Sequence, residues 1–159
     1  LPVGGDFTLT DQDGRPFSSS SLRGKVVLVF FGYTFCPDVC PTTLSKLSAV
    51  SRALGADKDR VKAVYITVDP ERDTPAVMRE HLSMFSVDAV GLTGTPDEIA
   101  QVAQQFAAAY RIDHTESAAK YLVSHTTSLY AIDPKGKTRF IFRYEATVDE
   151  IVEGIRALL

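Results

Sequence analysis

Continuous apolar runs alternate along this chain with stretches whose apolar residues recur every three or four positions. "KVVLVFFGY", Lys25 to Tyr33, is unbroken and bounded by Gly24 and Gly32. Such a run suits a strand buried on both faces, as in a parallel sheet. "VKAVYITVD", Val61 to Asp69, is a second run of the same kind. Between them, from Pro41 to about Leu54, Leu44, Leu47, Val50 and Leu54 fall at helical spacing. Thr74 and Pro75 read as an N-cap and first helical residue, opening a helix to about Phe85. A short strand passes through Val90 and Leu92. "TPDE", Thr95 to Glu98, then carries the Thr-x-x-Glu spacing of a capping box. The helix it opens sets Ile99, Val102, Ala103, Phe106 and Tyr110 on one stripe.

At the start of the chain, "DFTLTDQDGRPFSSSSL" alternates around an Asp13-Gly14 turn and reads as a short hairpin. At the end, "SLYAIDPKGKTRFIFRY", Ser128 to Tyr144, is two strands around Asp133-Pro134-Lys135-Gly136, followed by a helix over Val148 to Leu158. Strands alternating with helices predict an α/β domain with a mixed sheet covered on both faces. A final antiparallel pair followed by a helix matches the thioredoxin-like arrangement. "RIDHTESAAKYLVSH", Arg111 to His125, fits neither period and reads mostly as an irregular connection, an insertion before the final strand pair. A connection that long in a compact domain is more often functional than idle.

Composition narrows the field. The 159 residues are 45% hydrophobic and 23% charged, which suits one domain, 1–159, with an adequate core. A formal net charge of -3 lacks the basic face that a nucleic-acid partner requires. No apolar run reaches the roughly 18 to 20 residues of a membrane span. The chain begins at Leu1 rather than at methionine, so a processed or trimmed form is expected. No nucleophile–base pair, phosphate loop or acid pair stands out, so a carrier is expected rather than a classical enzyme.

The chemistry concentrates in "FFGYTFCPDVCPTTLSKL", which holds the two cysteines, Cys36 and Cys40. Three residues separate them, where a thioredoxin-type dithiol has two. With Cys40 in the first turn of the helix, the sulfurs lie near a helix N-terminus, whose partial positive charge favours thiolate. Residues four apart on a helix share a face, with α-carbons about 6 Å apart, so a disulfide is possible and so is convergence on one ion. The third ligand is sought among three histidines. His81 falls near the apolar stripe of its helix and reads as structural. His114, in "DHTES", reads as solvated. His125 precedes "SLYAID" at the end of the sheet from which the cysteine loop emerges, where a thioredoxin-like fold normally carries a cis-proline. "SHTTS" contains no proline. Two thiolates and an imidazole suit copper(I) and help retain copper(II); zinc uses the same donors, and a plain redox pair beside a structural histidine is the simpler alternative.

"TFCPDVCP" (Thr34 to Pro41), "VDPERDTP" (Val68 to Pro75) and "YLVSHTTSLYAIDPKGK" (Tyr121 to Lys137), in that order, resemble the Sco/SenC family of copper-binding proteins over nearly the whole chain. The resemblance implies a thioredoxin-like domain that binds one copper ion through Cys36, Cys40 and His125. It implies help in assembling the dinuclear copper centre of cytochrome c oxidase subunit II, with that subunit or another copper chaperone as partner. It also implies a monomer tethered to a membrane by an N-terminal anchor, facing the bacterial periplasm or mitochondrial intermembrane space. A thiol-disulfide reductase that keeps the oxidase cysteines reduced, and a redox or copper sensor, are the alternatives.

The remaining conspicuous residues have simpler readings. Asp69 and Asp73 order a strand-to-helix turn, where Asp73 or Thr74 can cap; a supporting or partner-docking role is the second reading. Asp38, between the cysteines, could tune the thiolates, meet a partner or simply face solvent. Pro37 and Pro41 shape the loop and open the helix, and Tyr33 and Phe35 shield a metal or cover the core. Met78 and Met84 read as core or surface filler.

Overall fold

The computed structural model describes residues 2–34, 39–85, 87–113, 122–125 and 127–159, and for 39–41, 111–113 and 122–125 it describes the main chain alone. Nine strands and four helices are described. In chain order they are β1 (Thr8–Asp11), β2 (Pro16–Ser18), β3 (Val26–Gly32), α1 (Val39–Leu54), β4 (Val61–Thr67), α2 (Pro75–Leu82) and β5 (Ala89–Thr93). Then come α3 (Pro96–Gln105), β6 (Tyr110–Asp113), β7 (Leu122–His125), β8 (Leu129–Ile132), β9 (Thr138–Phe142) and α4 (Val148–Leu158).

Seven strands form one mixed sheet in the order β2-β1-β5-β4-β3-β8-β9. β3 runs parallel to β4, and β4 to β5, while β8 lies antiparallel to β3 with Leu129 opposite Phe30. The unbroken run in β3 now has its reason: every residue from Val26 to Gly32 is buried. Alternate side chains serve opposite cores. Val27, Val29 and Phe31 pack with Phe106 and Tyr130 beneath α3, and Val26, Leu28 and Phe30 pack against α1, α2 and α4. The sheet is thus covered on both faces, as the alternation of strands and helices predicts.

The caps expected at Thr74 and Thr95 are present, and α4 has one more at Thr147. Thr74 accepts from the Val77 amide at 3.3 Å with Pro75 at the first helical position. Thr95 and Glu98 form a reciprocal capping box, and so do Thr147 and Glu150.

Two expectations are corrected. The helix opened at Thr95 ends at Gln105 and does not reach Tyr110. Ala107 turns left-handed at φ 53°, and the Ala107 and Ala108 amides donate back to the Gln104 and Ala103 carbonyls. This is the Schellman pattern, built here without its customary glycine. Tyr110 instead opens β6, which pairs antiparallel with β7 as a separate two-stranded sheet. At the two ends of the stretch Arg111 to His125 the described residues, 111–113 and 122–125, are strand rather than irregular, in elements whose four-residue length is too short for a clear period; 114–121 lie outside the described residues.

Candidate metal centre

β3 delivers the chain to the cysteines. It ends at Gly32, Tyr33 and Thr34 follow, and α1 begins at Val39 with Cys40 its second residue. Cys40 is thus in the first turn of the helix, where the leading backbone amides lack intrahelical partners and favour negative charge. Cys36, Phe35, Pro37 and Asp38 lie outside the described residues, as does His114.

His125 closes β7 opposite Tyr110. Four residues later β8 begins at Leu129, in register with Phe30 near the end of β3. From that pair the chain runs six residues to Cys36 and four back to His125, spans of at most about 20 and 14 Å. The strand before the cysteine loop and the strand after the histidine are therefore hydrogen-bonded neighbours, and both segments emerge from one end of the sheet. Among the described residues no group of three His, Cys, Asp or Glu could hold a metal ion. The side chains of Cys36, Cys40 and His125 are outside that set.

Of the two capping candidates, Asp73 and Thr74, it is Thr74 that caps α2. Asp73 is fully buried, and its carboxylate accepts from the Thr34 amide at 3.0 Å, from the Thr34 hydroxyl, and from the Thr67 hydroxyl at 2.6 Å. Burial pushes its carboxyl above the ordinary range; these three hydrogen bonds pull it back, and the charge of Asp69 pushes it further up. Asp69 orders the turn as expected: its carbonyl takes the Asp73 amide at 2.9 Å and its carboxylate takes Arg72 Nε at 2.5 Å. The Arg72 guanidinium lies 6.0 Å from the centre of the Tyr33 ring. Both aspartates are buried, which removes them from direct contact with a docked partner. Thr34 and Thr67 were not singled out by the sequence, since a hydroxyl tie to Asp73, across 39 residues from Thr34 and six from Thr67, leaves no local signature.

Tyr33 is buried in the core beneath α3, Met78 is on the buried face of α2, and Met84 is 70% exposed. His81 is structural, as read. Its ring meets Tyr65 at 6.1 Å and Phe85 at 5.6 Å, and its buried Nε2 has no hydrogen-bond partner among the described residues. Burial lowers its pKa below 6.5, and the charge of Asp73 raises it in part. The folded state thus resists a proton that the unfolded chain accepts, so stability is lost as pH falls below about 6.5. Asp73, whose carboxyl is raised by burial, contributes with the opposite sign. A His81→Gln variant should show a flatter dependence of unfolding free energy between pH 7 and 5 than wild type. Equal slopes would show that His81 does not contribute.

Comparison with known proteins decides the lineage. The family model described as SCO1/SenC matches residues 1–159. The chain belongs to the SCO1/SenC family. The "SCO2-like protein" of Rickettsia felis is 38% identical over 157 residues, covering 98% of this chain and 77% of its own. The structure of ScoI from Bradyrhizobium japonicum, solved with copper bound, has a TM-score of 0.89 and 43% identity, with 99% of each chain covered. BsSco, described through a disulfide switch and as a member of the Sco family of cytochrome c oxidase assembly proteins, has a TM-score of 0.78 and 27% identity, with 98% of this chain and 92% of its own covered. The thioredoxin-like architecture of the family is that of the sheet and helices described above. No helix among the described residues is long and apolar enough to cross a membrane.

Proposed function

We propose that this single domain carries one copper ion, held by the thiolates of Cys36 and Cys40 and the imidazole of His125. It delivers the ion during assembly of the dinuclear copper centre of cytochrome c oxidase subunit II, directly or through another copper chaperone. The observation that supports this most is topological: Cys40 is in the first turn of α1, which follows β3, and His125 ends β7 four residues before β8, the antiparallel neighbour of β3. Copper bound to a relative of 43% identity supports the choice of ion.

The donor set fits copper. Soft thiolates suit copper(I), and an imidazole adds retention of copper(II). Here copper is cargo. Three protein ligands leave a position at which an incoming thiolate or imidazole can bind before the first ligands depart. On the same family resemblance, the domain works as a monomer tethered to a membrane, in the bacterial periplasm or the mitochondrial intermembrane space.

The test is a copper titration of the reduced and the oxidised protein. Reduced protein is expected to bind close to one equivalent and to protect both cysteines from alkylation. The disulfide form is expected to lose binding, because only thiolates are competent ligands. Equal binding by both forms would refute the ligand set. A second reading, the thiol-disulfide reductase, is supported by the disulfide switch described for BsSco. It requires a Cys36–Cys40 potential more reducing than about -200 mV, since a more oxidising pair is a poor electron donor.

A further inference from the structure

We infer that Asp73 is a positioning residue for the cysteine loop, acting through Thr34; this rests on the copper reading above and extends it. The carboxylate is in the wrong place to be explained by its own helix. Thr74 already caps α2 through the Val77 amide, and the hydrogen bonds to the Asp73 carboxylate come from Thr34 and Thr67 rather than from the helix's own amides. A fully buried carboxylate is costly to keep unless hydrogen bonds compensate it. Here they come from two other elements.

One residue, Thr34, supplies two of them. Its amide reaches Oδ2 and its hydroxyl reaches Oδ1, so both carboxylate oxygens are engaged by a single residue in a fixed orientation. Thr67, at the end of β4, supplies the third through its hydroxyl. That hydroxyl oxygen also accepts the Asp69 amide at 3.0 Å, which directs its proton toward Asp73. Thr67 is itself fully buried. The carboxylate is therefore locked from the side of β4, and Thr34 is locked to the carboxylate.

Thr34 is two residues ahead of Cys36 in the chain, while Cys40 is held separately by α1. The loop between them thus has two independent anchors, a helix on the Cys40 side and the Asp73 clamp on the Cys36 side. Metal ligands must be held within about 0.5 Å of their productive geometry, and supporting hydrogen bonds commonly change metal affinity by about 10–100-fold. Releasing the clamp is expected to act on the Cys36 side of the loop and not on the Cys40 side.

The experiment measures each cysteine in the reduced, copper-free protein by mass-resolved alkylation, then copper release to a competing chelator. Thermal midpoints are recorded in parallel. The variants are Asp73→Asn, Thr34→Val and Thr34→Ser. Thr34→Val and Asp73→Asn are expected to change Cys36 alkylation at least fivefold while Cys40 stays within twofold, and to speed copper release about tenfold. Thr34→Ser keeps both donors and should behave as wild type, and Thr34→Val carries the test if Asp73→Asn fails to fold. A lower melting temperature with both cysteines unchanged, or both changed alike, overturns the positioning role and leaves Asp73 merely structural. Selective change at Cys36 in a protein that binds no copper would refute the copper reading instead, and leave the clamp standing.

Discussion

Replacing His125 with alanine is expected to lower copper(II) affinity by about 100-fold or more while leaving copper(I) bound by the two cysteines. The reasoning is ligand softness. Copper(I) is well served by thiolates, whereas copper(II) depends on the harder imidazole nitrogen. Changes to groups that merely support a ligand already cost about 10–100-fold, so loss of the ligand itself should reach the upper end of that range. His125 is the last residue of β7, a short ribbon outside the seven-stranded sheet. Its substitution should therefore leave the far-ultraviolet circular dichroism spectrum unchanged. Competition titrations with chelators selective for each oxidation state measure the effect. Equal retention of both states by His125→Ala and wild type would remove the histidine from the site.

Phe106→Ala is expected to be the most damaging single core substitution for stability, at about 3–5 kcal/mol. Phe106 is fully buried just beyond α3, with its ring 6.0 Å from Phe7, 5.9 Å from Phe31 and 5.1 Å from Tyr130. It therefore ties the N-terminal segment, the central strand and β8 together on one face of the sheet. Truncation loses the transfer energy of the ring and leaves a void whose lining cannot close, because those three rings belong to different elements. In a chain of this length each kcal/mol shifts the melting temperature by about 2–4 °C, so a drop on the order of 10 °C is expected by calorimetry. Met84→Ala, at a 70% exposed position, should stay within about 0.5 kcal/mol of wild type. A Phe106→Ala loss as small as that of Met84→Ala would contradict the core described here.

Much of this fold is legible in the chain because its signals are local. Val26–Gly32 is a long apolar run, and Thr95-Pro96-Asp97-Glu98 names its own helix start. The end of that helix is not legible. Ala107 adopts a left-handed conformation with no glycine to announce it, and helical periodicity extrapolates smoothly to Tyr110. β6 and β7 are hidden for a different reason: each has four residues, and their pairing spans a polar stretch. In the site, the positions of Cys40 and His125 follow from strand order and a helix start. The tie from Asp73 to Thr34 does not, because it depends on how β3, β4 and α2 come together in space.

X-ray absorption spectroscopy of the copper-loaded protein, with His125→Ala alongside, tests the central claim most directly. The account predicts two sulfur neighbours and at least one imidazole nitrogen around copper in wild type, with the imidazole signature lost in the variant and both sulfurs retained. Fewer than two sulfur neighbours in wild type, or an imidazole signature that survives His125→Ala, would contradict it.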